Sequence, residues 1–161
     1  MKRIWPVVLA LLLAGCGVEP SGPVVAGDAP TGLAPGVTLY FLDAQRHLRP
    51  QLRETGRLGT IPEAVSLLLT GPGPDAELHT EIAAVSVTRI QLSTAPELIR
   101  LRLPLTVRDV TPSGIDQIVC TALGVHVQSG GSRTTRAQVV FVQSTPESEK
   151  RRTCPLFSRA G

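Results

Sequence analysis

Aromatic side chains make up only 3% of the 161 residues. Proteins that stack sugars or nucleobases need aromatic platforms, so the composition argues against both kinds of binding site. Lysine is scarcer still, with Lys2 and Lys150 the two in the chain, and the sequence contains no long basic run. Binding to DNA or RNA depends on such a positive surface, and we therefore predict no nucleic-acid partner.

Sequence motifs for catalysis, metals and cofactors are missing too. The three histidines, His47, His79 and His126, are scattered, and none has a second ligand at metal-binding spacing. Ser113 is not part of a Gly-x-Ser-x-Gly motif, so it is interpreted as a residue in the first turn of a helix. We predict a protein that is not an enzyme and that has no cofactor and no metal site.

An acidic group around residues 63–81 is the feature that leaves an enzyme open as the alternative. Its members are Glu63, Asp75, Glu77 and Glu81. Two convergent carboxylates can act as an acid–base pair, whereas charges around a capped helix and a loop are more often solvated. The alternative to a binding module is therefore a cell-wall enzyme or its direct activator, with a cleft near residues 71–81.

The N-terminus carries the strongest sequence signal. Lys2 and Arg3 precede an apolar run over residues 4–13, which is shorter than the roughly 20 residues that span a bilayer. The run ends in Leu13-Ala14-Gly15-Cys16, which resembles the lipobox of bacterial lipoproteins. Small residues let a peptidase approach the backbone, and the Cys16 thiol takes up diacylglycerol. We predict a lipoprotein signal peptide over residues 1–15 and lipidation at Cys16; an ordinary secretory peptide is the alternative.

Lipidation implies a membrane-anchored protein on the extracytoplasmic side of the cell membrane, or on an outer membrane, because two or more acyl chains anchor stably. Removal of residues 1–15 leaves 146 of the 161 residues, enough for one domain. Residues 17–36 hold five Gly and four Pro and almost no apolar periodicity. We predict a flexible tether there, with a root-mean-square reach of roughly 25 Å.

Hydrophobic periodicity predicts a folded domain over residues 37–161. Strands are expected over residues 37–42, 48–53, 85–92, 98–103 and 137–143, and a polar tail is expected after the last strand. A helix is expected after the capping box of Thr60 and Glu63, and a second helix is expected after Pro112 and to end near Gly124. Pro50 places the second strand at a sheet edge. The order β-β-α-β-β-α-β predicts an α+β fold, a small mixed β-sheet with two helices packed on one face.

Five stretches of this domain resemble one family. They are residues 37–43, 48–53, 67–72, 117–123 and 139–142. Together they resemble the GerMN domain of GerM-like sporulation and spore-germination lipoproteins and of related lipoproteins of GC-rich Gram-positive bacteria. The resemblance implies a non-catalytic envelope domain that binds an envelope protein or cell-wall polymer, with no catalytic residues to transfer. This chain carries one copy and continues with Gln143-Ser144-Thr145-Pro146, where the family often has an Asp-Gly turn.

The two remaining cysteines form an even pair. With Cys16 lipidated, Cys120 and Cys154 are left in an oxidising compartment, where a disulfide is favoured. Two unpaired thiols are the alternative. We also expect the domain to be a monomer at micromolar concentration, because Pro50 and its neighbouring arginines protect the predicted edge strand.

Overall fold

A computed structural model describes residues 35–75, 77–86 and 88–157. The predicted signal peptide, Cys16 and nearly all of the predicted tether lie outside these residues. Just before the first strand, Gly36 is buried beside the end of the second strand. A Cβ atom on Gly36 would lie 1.9 Å from the carbonyl oxygen of Arg53, so only glycine fits at this approach.

The first two strands form an antiparallel hairpin, as predicted. β1 (Val37–Leu42) pairs with β2 (Leu48–Arg53), and Tyr40 lies opposite Pro50. Pro50 has no N–H to donate, so it suits the pair of facing residues that exchanges no hydrogen bonds. The backbone groups of Tyr40 accordingly point away from β2 and towards the rest of the domain.

The first helix has the predicted start. α1 (Ile61–Leu68) follows Thr60, whose hydroxyl accepts a hydrogen bond from the Glu63 N–H at 3.4 Å. The Glu63 carboxylate accepts one from the Thr60 N–H at 2.7 Å, which completes the capping box. The buried face of the helix consists of four apolar residues: Ile61, Ala64, Val65 and Leu68.

The remaining strands form a second sheet in the order β3-β4-β5-β6. Their bounds are β3 (Gln91–Ala95), β4 (Leu98–Arg102), β5 (Arg136–Val140) and β6 (Arg151–Arg152). β4 and β5 are parallel, and the outer two pairs are antiparallel. The side chains of β4 alternate between core and solvent, since Ile99 and Leu101 are buried and Arg100 is exposed.

The long helix is the centre of the domain. α2 (Pro112–Gln128) packs against β1 of the first sheet, against β5 of the second, and against α1. Residues 117–125 are all buried, so this helix is covered on every side instead of along one stripe. No helix in the described parts of the chain is long and apolar enough to cross a membrane.

Two buried polar side chains of α2 close the free edge of β1. The Tyr40 N–H donates to the Thr121 hydroxyl at 3.1 Å, and the Gln117 amide donates to the Tyr40 carbonyl at 3.1 Å. The Gln117 carbonyl oxygen accepts from the Glu81 N–H at 3.0 Å and from the Thr80 hydroxyl at 3.3 Å. Because helix side chains occupy this edge, the strands divide into two sheets instead of the single predicted sheet, and α2 contacts both of them.

Several predicted boundaries are wrong. The strand expected over residues 85–92 is β3, which begins only at Gln91; before it, the Ser66 hydroxyl donates to the Thr88 carbonyl at 2.6 Å in place of a ladder bond. The second helix passes Gly124 and ends at Gln128, because burial of Val125 outweighs the roughly 1 kcal/mol propensity cost of a glycine.

The end of the chain also differs from the prediction. The last long strand is Arg136–Val140, which is shorter than the expected residues 137–143. The expected polar tail contains a 3₁₀ turn (Pro146–Glu149) and the short strand β6, which pairs with β5. The α+β class and the order of the seven predicted elements are confirmed, with β6 added at the end.

Gln117→Ala tests the closed edge of β1. The substitution leaves the Tyr40 carbonyl and the Glu81 N–H buried without this partner, and we expect the free energy of unfolding to fall by about 2–4 kcal/mol. Urea unfolding measures the loss. Gln128→Ala, on the exposed last turn of the same helix, should change the value by no more than about 0.5 kcal/mol. Equal losses in the two variants would contradict the assigned role.

Candidate functional site

A polar recess of about 670 Å³ lies where the β1–β2 turn meets the segment that follows α1. Eight residues line it: Asp43, Ala44, Gln45, Arg49, Pro50, Asp75, Glu77 and Leu78. Three of them, Asp75, Glu77 and Leu78, lie in the stretch near residues 71–81 where the enzyme alternative placed a cleft. The contribution of the β1–β2 turn was not predicted. Asp43 was the available signal, because an aspartate at the start of a short turn often accepts hydrogen bonds from the turn backbone.

Asp43 organises the turn side of the recess. Its Oδ1 atom accepts hydrogen bonds from the backbone N–H groups of His47, at 2.8 Å, and Gln45, at 3.0 Å. Its Oδ2 atom accepts from Arg49 Nε at 2.8 Å. These bonds lower the pKa of Asp43 below its usual range, and the bond from the His47 N–H has the largest effect. A general acid at neutral pH needs a raised carboxyl pKa, so Asp43 is suited to holding the turn and not to donating a proton.

The opposite wall of the recess is fastened to β2. Gln51 Nε2 donates to the Asp75 carboxylate and to the Pro72 carbonyl, each at 3.2 Å. Arg53 Nη2 donates to the Gly71 carbonyl at 2.8 Å, and its Nε donates to Gln51 Oε1 at 2.8 Å. The segment after α1 is therefore held against the hairpin by two side chains from β2. Asp75 Oδ1 also accepts from the Glu77 N–H at 3.1 Å.

The four predicted acidic residues do not form one group. Asp75 and Glu77 line the recess. Glu63 is bonded at the start of α1 and pairs with Arg57 at 2.7 Å, and these contacts, chiefly with the Thr60 backbone, lower the pKa of Glu63. Glu81 forms a two-point ion pair with Arg46, with both distances 2.8 Å, and accepts from the Thr111 hydroxyl.

The three histidines and Ser113 lie apart from one another. His47 is exposed 3.6 Å from Asp43, and His79 bridges to Leu42 through its backbone. His126 Nε2 lies 3.0 Å from the Thr135 hydroxyl. Ser113 is in the first turn of α2, where Arg46 approaches its hydroxyl at 3.4 Å. Within residues 35–75, 77–86 and 88–157, no three His, Cys, Asp or Glu side chains are grouped as metal ligands.

The predicted disulfide is present. Cys120 of α2 and Cys154 of the tail are bonded, with an S–S distance of 2.01 Å and Cα atoms 4.7 Å apart. Both residues are fully buried. The bond therefore fastens the end of the described chain to the central helix.

A charged cluster surrounds this attachment. Glu147 pairs with Lys150 at 2.7 Å and with Arg152, and Arg152 also lies close enough to Asp116 of α2 to act on it. Partial burial raises the pKa of Asp116, and the charge of Arg152 opposes that shift. These interactions hold the tail on α2, so the raised pKa has a structural explanation.

Comparison of the chain with protein-family models, with curated proteins and with solved structures gave no match.

Removal of the disulfide tests its contribution to stability. The cysteines are 34 residues apart, and closing such a loop stabilises a fold by about 3–4 kcal/mol in the chain-entropy model. We expect the double variant Cys120→Ala/Cys154→Ala to lose about that much in urea unfolding. A reductant should lower the wild-type midpoint towards that of the double variant and leave the double variant unchanged. An unchanged wild-type midpoint would show that the bond does not form.

Proposed function

We propose that this protein is a membrane-anchored extracytoplasmic lipoprotein whose GerMN-like domain is a non-catalytic binding or assembly module of the bacterial cell envelope. The lipobox-like Leu13-Ala14-Gly15-Cys16 supports the anchor. The five family-like stretches support the domain assignment. The observation that carries the binding role is the position of the recess relative to the point where the chain enters the fold.

The recess lies at the end of the hairpin away from Val37, the first residue of β1. The chain enters beside the pair Val37–Arg53, whereas Asp43, Gln45 and Arg49 lie at or next to the turn beyond the pair Leu42–Leu48. Six residues of strand span roughly 20 Å. A domain tethered through residues 16–36 can therefore direct the recess away from the lipid surface, towards other envelope components.

The chemistry of the recess suits a polar partner. Carboxylates, an arginine and the Gln45 amide line it, and Pro50 and Leu78 add small apolar contacts. Hydroxyl and amide groups of a cell-wall polymer, or the backbone of a protein segment, are complementary to such a lining. The absence of aromatic residues from the lining disfavours recognition that depends on stacking.

A second candidate is a cell-wall enzyme or its direct activator. The observation that favours it is the presence of Asp75 and Glu77 in the same recess. The hydrogen bonds that lower the pKa of Asp43 favour the binding module instead, because they keep that carboxylate ionised and occupied.

Fatty-acid labelling tests the anchor. Wild-type protein should incorporate labelled palmitate and fractionate with membranes, and Cys16→Ala should lose the label and either leave the membrane or persist as uncleaved precursor. Cys154→Ala is the matched control, because it removes a cysteine that is not the lipidated one; its label should be unchanged. A wild-type protein that takes up no label and is recovered as soluble material would refute the anchor.

Site-specific crosslinking tests the recess as the binding surface. A photoreactive residue at Gln45, at the rim of the recess, should crosslink to an envelope protein or peptidoglycan in intact cells. The same residue at Arg133, in an exposed loop that does not line the recess, should crosslink at most about one-tenth as much. Asp75→Asn should weaken the Gln45 crosslink several-fold.

The enzyme hypothesis makes the opposite prediction in the same system. If purified protein releases fragments from isolated peptidoglycan, and Asp75→Asn or Glu77→Gln abolishes that release, the binding-module proposal is wrong.

A further inference from the structure

The second sheet has a buried side and an open side. The buried side includes four apolar residues of β4 and β5: Ile99, Leu101, Ala137 and Val139. Side chains alternate along a strand, and residues paired across neighbouring strands point to the same side, so the intervening residues face solvent. Four of these are exposed arginines, here called the arginine face: Arg100, Arg102, Arg136 and Arg151.

The arginine face brings together residues that are distant in sequence. Arg100 and Arg102 are two residues apart on β4, so their Cα atoms are roughly 7 Å apart. Arg136 lies diagonally across from Arg100 on β5, about 8 Å away. Gln138 pairs with both Arg100 and Arg151, which places these two arginines about 10 Å apart. The whole set spans about 14 Å, and because three strands supply it, the sequence shows no basic run.

No acidic side chain of the sheet offsets these charges. The four strands β3–β6 contain no Asp or Glu. Glu97 in the turn before β4 and Glu149 before β6 come next to these strands along the chain, but in residues 35–75, 77–86 and 88–157 no carboxylate pairs with the arginine face. Four arginines elsewhere in the domain do have a carboxylate partner: Arg46, Arg49, Arg57 and Arg152. The arginine face is therefore a local excess of positive charge that the fold leaves unpaired.

A neutral side chain orients one of these guanidinium groups. Arg100 Nε donates to Gln138 Oε1 at 3.1 Å, and Gln138 Nε2 donates to the Ser148 carbonyl at 2.6 Å. The amide is thus fixed at both ends, and the bond to it leaves the charge of Arg100 uncompensated. Like charges on one side of a sheet destabilise it, so an anion bound across the arginine face would relieve this repulsion.

We infer that the arginine face binds a linear phosphodiester polymer of the cell envelope. A guanidinium group binds phosphate through two parallel N–H···O bonds. A single phosphate is too small to reach all four arginines across about 14 Å, whereas a chain of phosphates can engage every one of them. The phosphate chemistry follows from the arginine face, and the envelope as the source of the polymer rests on the proposed function. The arginine face shares no residue with the recess, so it is a second binding surface.

The side chains of the open side disfavour other anionic partners. No aromatic residue occurs in β3–β6, so nucleobases have nothing to stack on. Leu92 is the exposed large apolar residue of these strands, and it lies on the other side of the sheet, paired with the buried Leu101. Membrane-surface binding and protein hot spots use inserted or buried apolar anchors, and the open side provides none in its strands. Charge and hydrogen bonding alone suit a hydrated polymer.

Binding of poly(glycerol phosphate) to the purified full-length chain tests the arginine face. Arg100→Gln/Arg102→Gln removes two of the four phosphate contacts and should weaken binding at least roughly tenfold. Arg136→Gln/Arg151→Gln, on the other two strands, should cause a similar loss. All four side chains are exposed, so both variants should keep the wild-type urea midpoint.

A matched control separates the arginine face from net charge. Arg108→Gln/Arg133→Gln removes the same charge from exposed positions outside the sheet, and its binding should equal that of wild type. If this variant loses as much affinity as the two variants of the arginine face, binding follows net charge alone and the inference is wrong.

The salt dependence of binding counts the contacts. The logarithm of the binding constant falls with the logarithm of salt concentration by about 0.7 per phosphate contact on a flexible strand, so four arginines predict a slope of about −3. Arg100→Gln/Arg102→Gln should reduce the slope to about −1.4. A slope that is the same in wild type and in this variant would contradict the assigned contacts.

Further probes decide between the polymer and other anions. Polyglutamate of matched charge and phosphatidylglycerol vesicles of matched phosphate content should both bind more weakly than poly(glycerol phosphate), and single-stranded DNA should bind no more tightly. Equal binding of polyglutamate would refute phosphate recognition. Tighter binding of vesicles or DNA that Arg100→Gln/Arg102→Gln abolishes would replace the polymer with a lipid surface or a nucleic acid. Because the purified chain is used, a failure of palmitate labelling would refute the anchor and leave this result standing.

Discussion

The buried amide of Gln117 is the contact on which the arrangement of this domain depends. A helix that is apolar on nearly every side must be covered on every side, and α2 is covered by two sheets and by α1. The polar edge of β1 faces that helix, and a strand edge buried without partners would cost several kcal/mol. Gln117 and Thr121 supply the missing partners, and the described chain has no buried side-chain polar atom left without one.

The same amide links the β1 edge to the polar recess region. Its carbonyl oxygen holds the backbone of Glu81, and the Glu81 side chain in turn holds Arg46 in the β1–β2 turn and Thr111 at the start of α2. Arg46 has a positive φ of 63°, a conformation that is uncommon outside glycine and is retained here by the ion pair and the turn. The position of the turn, and with it that of Asp43, thus follows from the packing of the central helix.

Local signals were sufficient for the elements whose ends are set by neighbouring residues. The capping box at Thr60 and the β1 and β2 strands follow from short sequence patterns. The Cys120–Cys154 bond followed from the cysteine count, because these two cysteines are the pair left once Cys16 is set aside. The division into two sheets did not follow, because it depends on a helix side chain that lies 77 residues from its strand partner. β3 begins later than predicted for a similar reason, because the hydroxyl of Ser66 in α1 donates a hydrogen bond to the Thr88 carbonyl. The turn wall of the recess was missed because it is joined to the loop wall by contacts between residues distant in sequence, namely those of Gln51, Arg53 and the Leu42–His79 bridge.

The edges of the two sheets show how this fold avoids indiscriminate strand pairing. An unprotected apolar edge would pair with any exposed strand. β2 carries Pro50 between charged and polar neighbours, and the edge of β1 is occupied by Gln117 and Thr121. β3 is short, and Leu92 is the one large apolar side chain among its five exposed residues. The recess and the β3 edge share no residue and belong to different sheets that α2 joins, so a partner in the recess leaves the β3 edge unchanged.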